Sequence, residues 1–366
     1  MNRTAVTTIA ACLGVALLAG CGSGDGEGEG EESSAEVNGE SPDTVAPVTL
    51  LTHDSFDISE EVLERFTEET GHRVVIVRGG DAGVMVNQAV LTAGNPQADV
   101  LFGVDNTLLS RAVDEGVFEE YEAAGLDAVP DDLLPPDGGR SVTPIDTGDI
   151  CVNWDRAWFA EEGIEPPETL EDLADPAMAD LLVVQNPATS SPGLGFLLGT
   201  VAAFGEDGWK DYWQSLVDNG VEVVNGWEQA YYDHFSGSGG GDRPLVVSYA
   251  TSPPAEVLFG SDPDPEEAPT GVSTGTCFRQ VEFAGLLAGA ENPEGGRALI
   301  DFMLSEPFQE DLPLTMFVNP ARADVDLPEV FTEHGAVIED PYTLAPEVIA
   351  ENRASLVDDW TALVLR

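Results

Sequence analysis

His53, Asp54 and Ser55 stand side by side, and they are the three side-chain types of a nucleophilic hydrolase. Such a triad is assembled by geometry from separate parts of a fold, so adjacency argues against it. No Gly-x-Ser-x-Gly nucleophile elbow is read at a strand-to-helix turn, and the chain reads as a binder, not an enzyme, with no cofactor and no metal. Asp54, Ser55 and Asp105 each follow an apolar run, where open α/β sheets take their ligands. Asp105 suits equally well as the cap of the next helix. Ser190 and Ser191 precede Pro192 and a helical run; hydroxyls and free N–H groups there suit a ligand hydroxyl or phosphate oxygen, a helix cap, or both. Asp81 after Gly79-Gly80 is, by itself, a turn residue.

These residues need a scaffold, and the hydrophobic pattern supplies one. A strand at 48–51 leads into a helix at 59–70, with Ser59 as N-cap, acids in the first turn and Gly71 as the stop. Strands at 73–77 and 99–104 alternate with helices at 84–93 and 106–115, a βαβαβ order that means a parallel sheet covered by helices. A second stretch of the same texture begins near Thr143. Its strands are expected at 150–153, 182–184, 221–224, 245–248 and 278–283, with helices at 194–204 and 209–218. Segments 237–241 and 261–269 read as loops, and 295–366 as mostly helical.

The N-terminus has a separate logic. Arg3 and a short apolar run at 9–19 lead to Leu18-Ala19-Gly20-Cys21, the layout of an export signal too short to span a bilayer. The small residues before Cys21 resemble the lipobox of bacterial lipoproteins, in which the cysteine is lipidated and becomes the mature N-terminus. An ordinary signal peptide with an incidental cysteine is the alternative. The resemblance implies a signal peptide at 1–20 and a lipid-anchored, acidic, flexible linker at 21–46, rich in Gly, Glu and Ser. The protein would then work outside the cytoplasm, on the outer face of the cell membrane. Cys12 lies in the signal, which leaves Cys151 and Cys277 for the exported body. In an oxidising compartment they pair, or else remain two buried thiols; alone they are too few for a structural zinc.

The formal net charge of the 366 residues is −54, with 68 acids against 14 Lys and Arg. Phosphate backbones are bound through Lys and Arg, so nucleic acid is excluded as a partner. The acids are spread along the chain and read as a solvated, salt-adapted shell; a cation-storage protein is the other reading. Gly-x-x-x-x-Gly-Lys-[Ser/Thr] is absent, and the single lysine, Lys210, follows Gly208-Trp209. No ATP site is expected.

Five ordered segments carry a more specific likeness. They are Thr52-His53-Asp54-Ser55-Phe56, Ala98-Asp99-Val100-Leu101-Phe102-Gly103-Val104-Asp105-Asn106, Asn186-Pro187-Ala188-Thr189-Ser190-Ser191-Pro192-Gly193-Leu194-Gly195, Asn225-Gly226-Trp227-Glu228-Gln229-Ala230-Tyr231 and Val247-Ser248-Tyr249-Ala250-Thr251-Ser252-Pro253. Together they resemble the thiamine-binding proteins of ABC importers, over residues 48–366. The resemblance implies the type II periplasmic-binding-protein fold. Lobe 1 would be 47–143 and 284–366, and lobe 2 would be 144–283, with crossings near 143–151 and 277–283. It also implies a monomer that binds thiamine or its phosphates and partners a membrane permease driven by an ATPase.

Thiamine's thiazolium is a permanent cation with no N–H to donate, so aromatic faces suit it, at about 0.5–2 kcal/mol each. Trp227 and Tyr249 fall at the family's aromatic positions, although a lone Trp is otherwise core packing. Asp81 aligns with the carboxylate that bonds the aminopyrimidine. The chain departs from the pattern at His53 and Ala255, where tyrosines are usual, and at Phe317, where a tryptophan is. Ferric-ion binding proteins share the fold and often use adjacent tyrosines, so Tyr231-Tyr232 keeps ferric ion or another small cation as the alternative ligand.

Overall fold

The computed structural model describes residues 45–260 and 265–366. Cys21, the signal at 1–20 and nearly all of the linker lie outside them. Eleven strands form two sheets. In chain order they are β1 (Val48–Thr52), β2 (Val74–Arg78), β3 (Val100–Asp105), β4 (Thr143–Thr147), β5 (Ile150–Asp155), β6 (Leu182–Gln185), β7 (Glu222–Val224), β8 (Leu245–Tyr249), β9 (Thr270–Phe278), β10 (Val281–Leu286) and β11 (Asn319–Pro320).

The first sheet has the order β11-β4-β10-β3-β1-β2. The βαβαβ pattern makes β1 parallel to β2 and β3. The helix Glu60–Thr70 between the first two strands starts where Ser59 accepts the Val62 N–H, and it stops at Gly71 with φ 77°, a left-handed cap that glycine adopts without strain. The sheet is mixed, because β10 enters antiparallel between β3 and β4. The second sheet has the order β7-β6-β8-β5-β9. Each sheet is covered by helices, and the helix Ser191–Asp218 runs over the second. It is broken at Gly205 (φ 70°), so the two expected helices form one kinked element.

The chain crosses between sheets twice, at Gly148-Asp149 and at Arg279-Gln280. A single strand at 278–283 was expected; instead Phe278 ends β9 and Val281 starts β10, because the segment passes from one sheet to the other. The two crossings are tied together. Gly148 N–H donates to the Gln280 carbonyl at 3.3 Å, and Arg279 Nε meets Asp149 Oδ1 at 2.6 Å. Just inside the second lobe, Cys151 and Cys277 form a disulfide.

The end of the chain departs from the expected return to lobe 1. The helix Glu329–His334 packs on Ser252–Leu258, and Pro346–Val364 packs on both Ser191–Asp218 and Leu109–Asp114. Trp360 is fully buried, with its ring edge-on to Trp213 at 5.3 Å. Burying an indole of that size removes a large apolar surface from water and so fixes the last helix there. Lobe 1 therefore keeps β11 and the helices Pro293–Met303 and Glu306–Thr315, whereas the last helix spans both lobes. Among the described residues no helix is long and apolar enough to cross a membrane.

The disulfide closes a loop of sequence separation 126 that is the second lobe itself. Chain-entropy reasoning gives such a crosslink about 3–5 kcal/mol. A Cys151→Ser/Cys277→Ser protein is expected to lose stability of that order in chemical denaturation, with unchanged far-ultraviolet circular dichroism at low denaturant. An unchanged midpoint would show that the crossing's hydrogen bonds suffice.

Candidate ligand-binding site

A cavity of about 1180 Å³ lies between the lobes. The turn after β1 supplies His53, Asp54 and Ser55 to its first-lobe wall. The end of β2 supplies Arg78, the next helix start Asp81, β10 Glu282, and the residues before β11 Phe317. From the second lobe come Thr189, Ser191 and Pro192 at the start of the long helix, the segment after β7, and Tyr249 at the end of β8.

That segment after β7 builds an aromatic wall. Trp227 stacks on Tyr231 at 4.9 Å and 20°, meets Tyr232 edge-on at 5.6 Å and leans toward Tyr249 at 6.1 Å. Its indole N–H donates to Ser248 Oγ at 2.9 Å, fixing the ring. Adjacent tyrosines on an α-helix would face apart, yet both line the cavity. Residues Gln229–His234 form a π-helical turn, a wider coil that recurs at functional sites. Tyr231 donates its hydroxyl to Glu256 at 2.8 Å.

Asp81 ties the lobes together. Its Oδ2 accepts the Trp227 N–H at 2.9 Å and the Ser190 hydroxyl at 3.0 Å. Oδ1 is buried and, among the described residues, has no partner. Burial pushes this carboxyl up to about 6, against the pull of the Trp227 and Ser190 hydrogen bonds. Two glycines permit the approach: a Cβ on Gly83 would lie 2.5 Å from the Thr189 carbonyl oxygen, and one on Gly226 would lie 3.2 Å from Asp81 Oδ2. Ser190 therefore sits behind Asp81 instead of lining the cavity.

Below the cavity three acids lie abreast. Glu282 on β10 is in register with Asp105 on β3 and with Asp146 on β4. Asp105 accepts from the Thr107 N–H and hydroxyl, the Leu108 N–H and Gln280 Nε2. It is wholly buried and caps the turn that follows, so it does not line the cavity. Of its two readings the structure shows the cap. Apart from the carboxyl of Glu282, with which it can share a proton, Asp146 has no hydrogen-bond partner among the described residues. Burial pushes Asp146 up to about 7 and Glu282 well above the usual carboxylate range, where the charges of Asp146 and Asp105 add to the effect.

His53 faces Glu282 with Nε2 3.8 Å from Oε1, too long for a hydrogen bond. Burial, with Arg78 adding, lowers the imidazole to about 4. At neutral pH the imidazole is neutral, so the contact is not an ion pair. The ring lies against Gly103 (φ 95°), where a Cβ would fall 2.4 Å from His53 Cδ2. Phe317, at φ 56°, spends backbone strain to stand at the rim, edge-on to Phe259 at 5.5 Å and stacked over Phe331 at 6.3 Å.

Eight of the ten expected ligand-binding residues line the cavity; Ser190 and Asp105 do not. Sequence reasoning missed Glu282, Asp146 and Arg78, and weighed Tyr231 and Tyr232 only as iron ligands. An acid inside an apolar strand, as in Val281-Glu282-Phe283-Ala284, was the available signal, since unpaired buried charge is costly. The spacing Gly-x-Ser-x-Gly does occur, at Gly271-Val272-Ser273-Thr274-Gly275. It lies within β9 and Ser273 is buried, donating to the Pro167 carbonyl, so it is no nucleophile elbow.

A sequence profile described as bacterial extracellular solute-binding protein matches residues 95–333. The thiamine-binding periplasmic protein of Escherichia coli (strain K12) is 29% identical over 328 residues, covering 87% of this chain and 94% of that protein. Iron uptake protein A1 of Synechocystis is 25% identical over 350 residues, covering 92% and 91%. Among solved structures, a periplasmic thiamin binding protein superposes with a TM-score of 0.73 at 28% identity, over 87% of this chain and 96% of that one. A ferric binding protein from Campylobacter jejuni, at 18% identity and a TM-score of 0.67, shares the fold. Two α/β lobes, two crossings, a cleft between them and this profile match place the chain among the bacterial extracellular solute-binding proteins, in the type II periplasmic-binding fold.

Proposed function

We propose that this protein captures thiamine or its phosphates by lobe closure and delivers the ligand to the permease of an ABC importer. The observation that carries the reading is the pairing of walls. One cavity is lined both by the rings of Trp227, Tyr231 and Tyr249 and by the carboxyls of Asp81 and Glu282. Aromatic faces and acids in one cavity suit an organic cation that offers no hydrogen to donate. Asp81 Oδ1, buried and unpartnered among the described residues, is an acceptor for an exocyclic amine. Ser191 at the start of a long helix suits a hydroxyl or phosphate end. The names of the relatives support the same reading. Ala255 in place of a larger side chain leaves the enclosure lighter on one side.

Closure follows from the contacts of Asp81. A ligand that touches both lobes favours the state in which Asp81 reaches Trp227 and Ser190 over any open state. The closed form would then be the one presented to the permease, while an ATPase subunit supplies the energy. A lipid on Cys21 and the acidic linker would hold the monomer at the membrane. A ferric-ion reading draws on the iron-uptake relatives and on Tyr231-Tyr232, but the Tyr231 hydroxyl is already given to Glu256.

Isothermal titration with thiamine, its monophosphate, the isolated pyrimidine and ferric ion tests the ligand. Binding heat is expected with thiamine, and Trp227→Ala is expected to weaken it about tenfold or more, for one lost cation–π face. Heat only with ferric ion would replace the reading. Gly83→Leu is expected to prop the lobes apart against Thr189. Solution scattering should then show a larger radius of gyration, which thiamine does not reduce. Finally, Cys21→Ser should move the protein from the membrane to the soluble fraction of cells; retention on the membrane would remove the anchor.

A further inference from the structure

We propose that Asp146 and Glu282 are a proton-exchanging counterion for the ligand's cation. The pair holds a proton when the cleft is empty and releases it when a quaternary ring lies against Glu282. This rests on the thiamine reading and deepens it, because it makes charge, as well as aromatic area, the basis of selection.

The geometry is a strand register. Residues directly opposite on neighbouring strands bring their side chains within about 5 Å on one face, and like charges there repel. Glu282 has an acid opposite it on both sides, Asp105 and Asp146. Asp105 has its donors in Thr107, Leu108 and Gln280. Asp146 has no donor among the described residues other than a protonated Glu282, and the one imidazole facing Glu282 is neutral. Five groups face the pair that β4 and β10 form: Asp105 from β3, His53 from the turn after β1, Arg78 at the end of β2, Asp81 at the next helix start and Tyr249 from β8. Of these Arg78 alone is cationic, and its guanidinium is turned to the Asp54 and Phe56 carbonyls at 3.2 and 2.9 Å. Three adjacent buried carboxyls without a cation cannot all be ionised, as for any pair of like charges sharing a site. Glu282 is the member that lines the cavity.

The exchange balances. One carboxyl O–H bond breaks, the proton passes to solvent, and the incoming permanent cation replaces its charge. A neutral ligand of the same shape brings no charge and leaves the proton in place.

Titrations of thiamine in buffers of different ionisation enthalpy, at one pH between 7.5 and 8.5, count the protons directly. About one proton released per thiamine is expected, with affinity rising about tenfold per pH unit until the pair is ionised. His53, at about 4, does not titrate in that window. Asp81, at about 6 in the closed form, takes up a proton on closure below that pH and so acts with the opposite sign, outside the window. Glu282→Gln is expected to bind thiamine with no proton release and no pH slope; Asp146→Asn serves if that variant does not fold. The isolated uncharged pyrimidine should release none from the parent protein. Thiamine binding with buffer-independent heat and a flat pH profile overturns the inference alone. No thiamine binding in any buffer overturns the proposed function, and this with it.

Discussion

A carboxylate shared between two lobes holds this structure in its present shape. Asp81 belongs to lobe 1 by chain position, yet the hydrogen bonds its Oδ2 accepts come from Trp227 and Ser190 in lobe 2. Removing a carboxylate from water without donors costs several kcal/mol, so closure and satisfaction of Asp81 are one event. The same bond fixes the backbone at Trp227, whose ring Tyr231 stacks on. The ring itself is held within lobe 2 by Ser248, so Asp81 meets an aromatic wall that is already built.

The rest of the fold supports that event without enforcing it. The two crossings are short and mutually bonded through Asp149 and Arg279, and the disulfide lies at their entry to lobe 2. Rotation between lobes is thus concentrated in a few residues, as hinge motion requires. The last helix packs on both lobes, on the side of Trp213 and Trp360. Gly83 and Gly226 set the closest approach by having no side chain in the way.

Much of the first lobe was legible in the sequence because its signals are local. Alternating apolar runs, the Ser59 cap and the Gly71 stop each specify their own few residues. The second crossing was not, since Phe278-Arg279-Gln280-Val281-Glu282-Phe283 reads as one short strand and only tertiary pairing divides it between two sheets. The site split in the same way. Trp227, Tyr249 and Asp81 lie inside ordered motifs and were found. Tyr232 joined the wall through a π-helical turn that no spacing rule for an α-helix anticipates. The Glu282–Asp146 pair depends on strand register between segments far apart in the chain, which a single sequence does not display. The strand 270–278 was also missed, because six of its nine residues are Thr, Ser or Gly and its burial comes from the neighbouring β5.

The chain's charge of −54 and the acids of the cleft are separate matters. Exposed carboxylates are screened within about 8 Å at ordinary ionic strength and about 3 Å in molar salt, so the outer shell contributes little to the choice of ligand in brine. The acids beneath the cavity are removed from that screening by the lobes around them. A protein with 14 basic residues also has few cations to place beside them. The field of buried carboxyls therefore persists in high salt where surface steering does not. The carboxyls at and beneath the cavity, and not the shell around it, are the charges that stay unscreened.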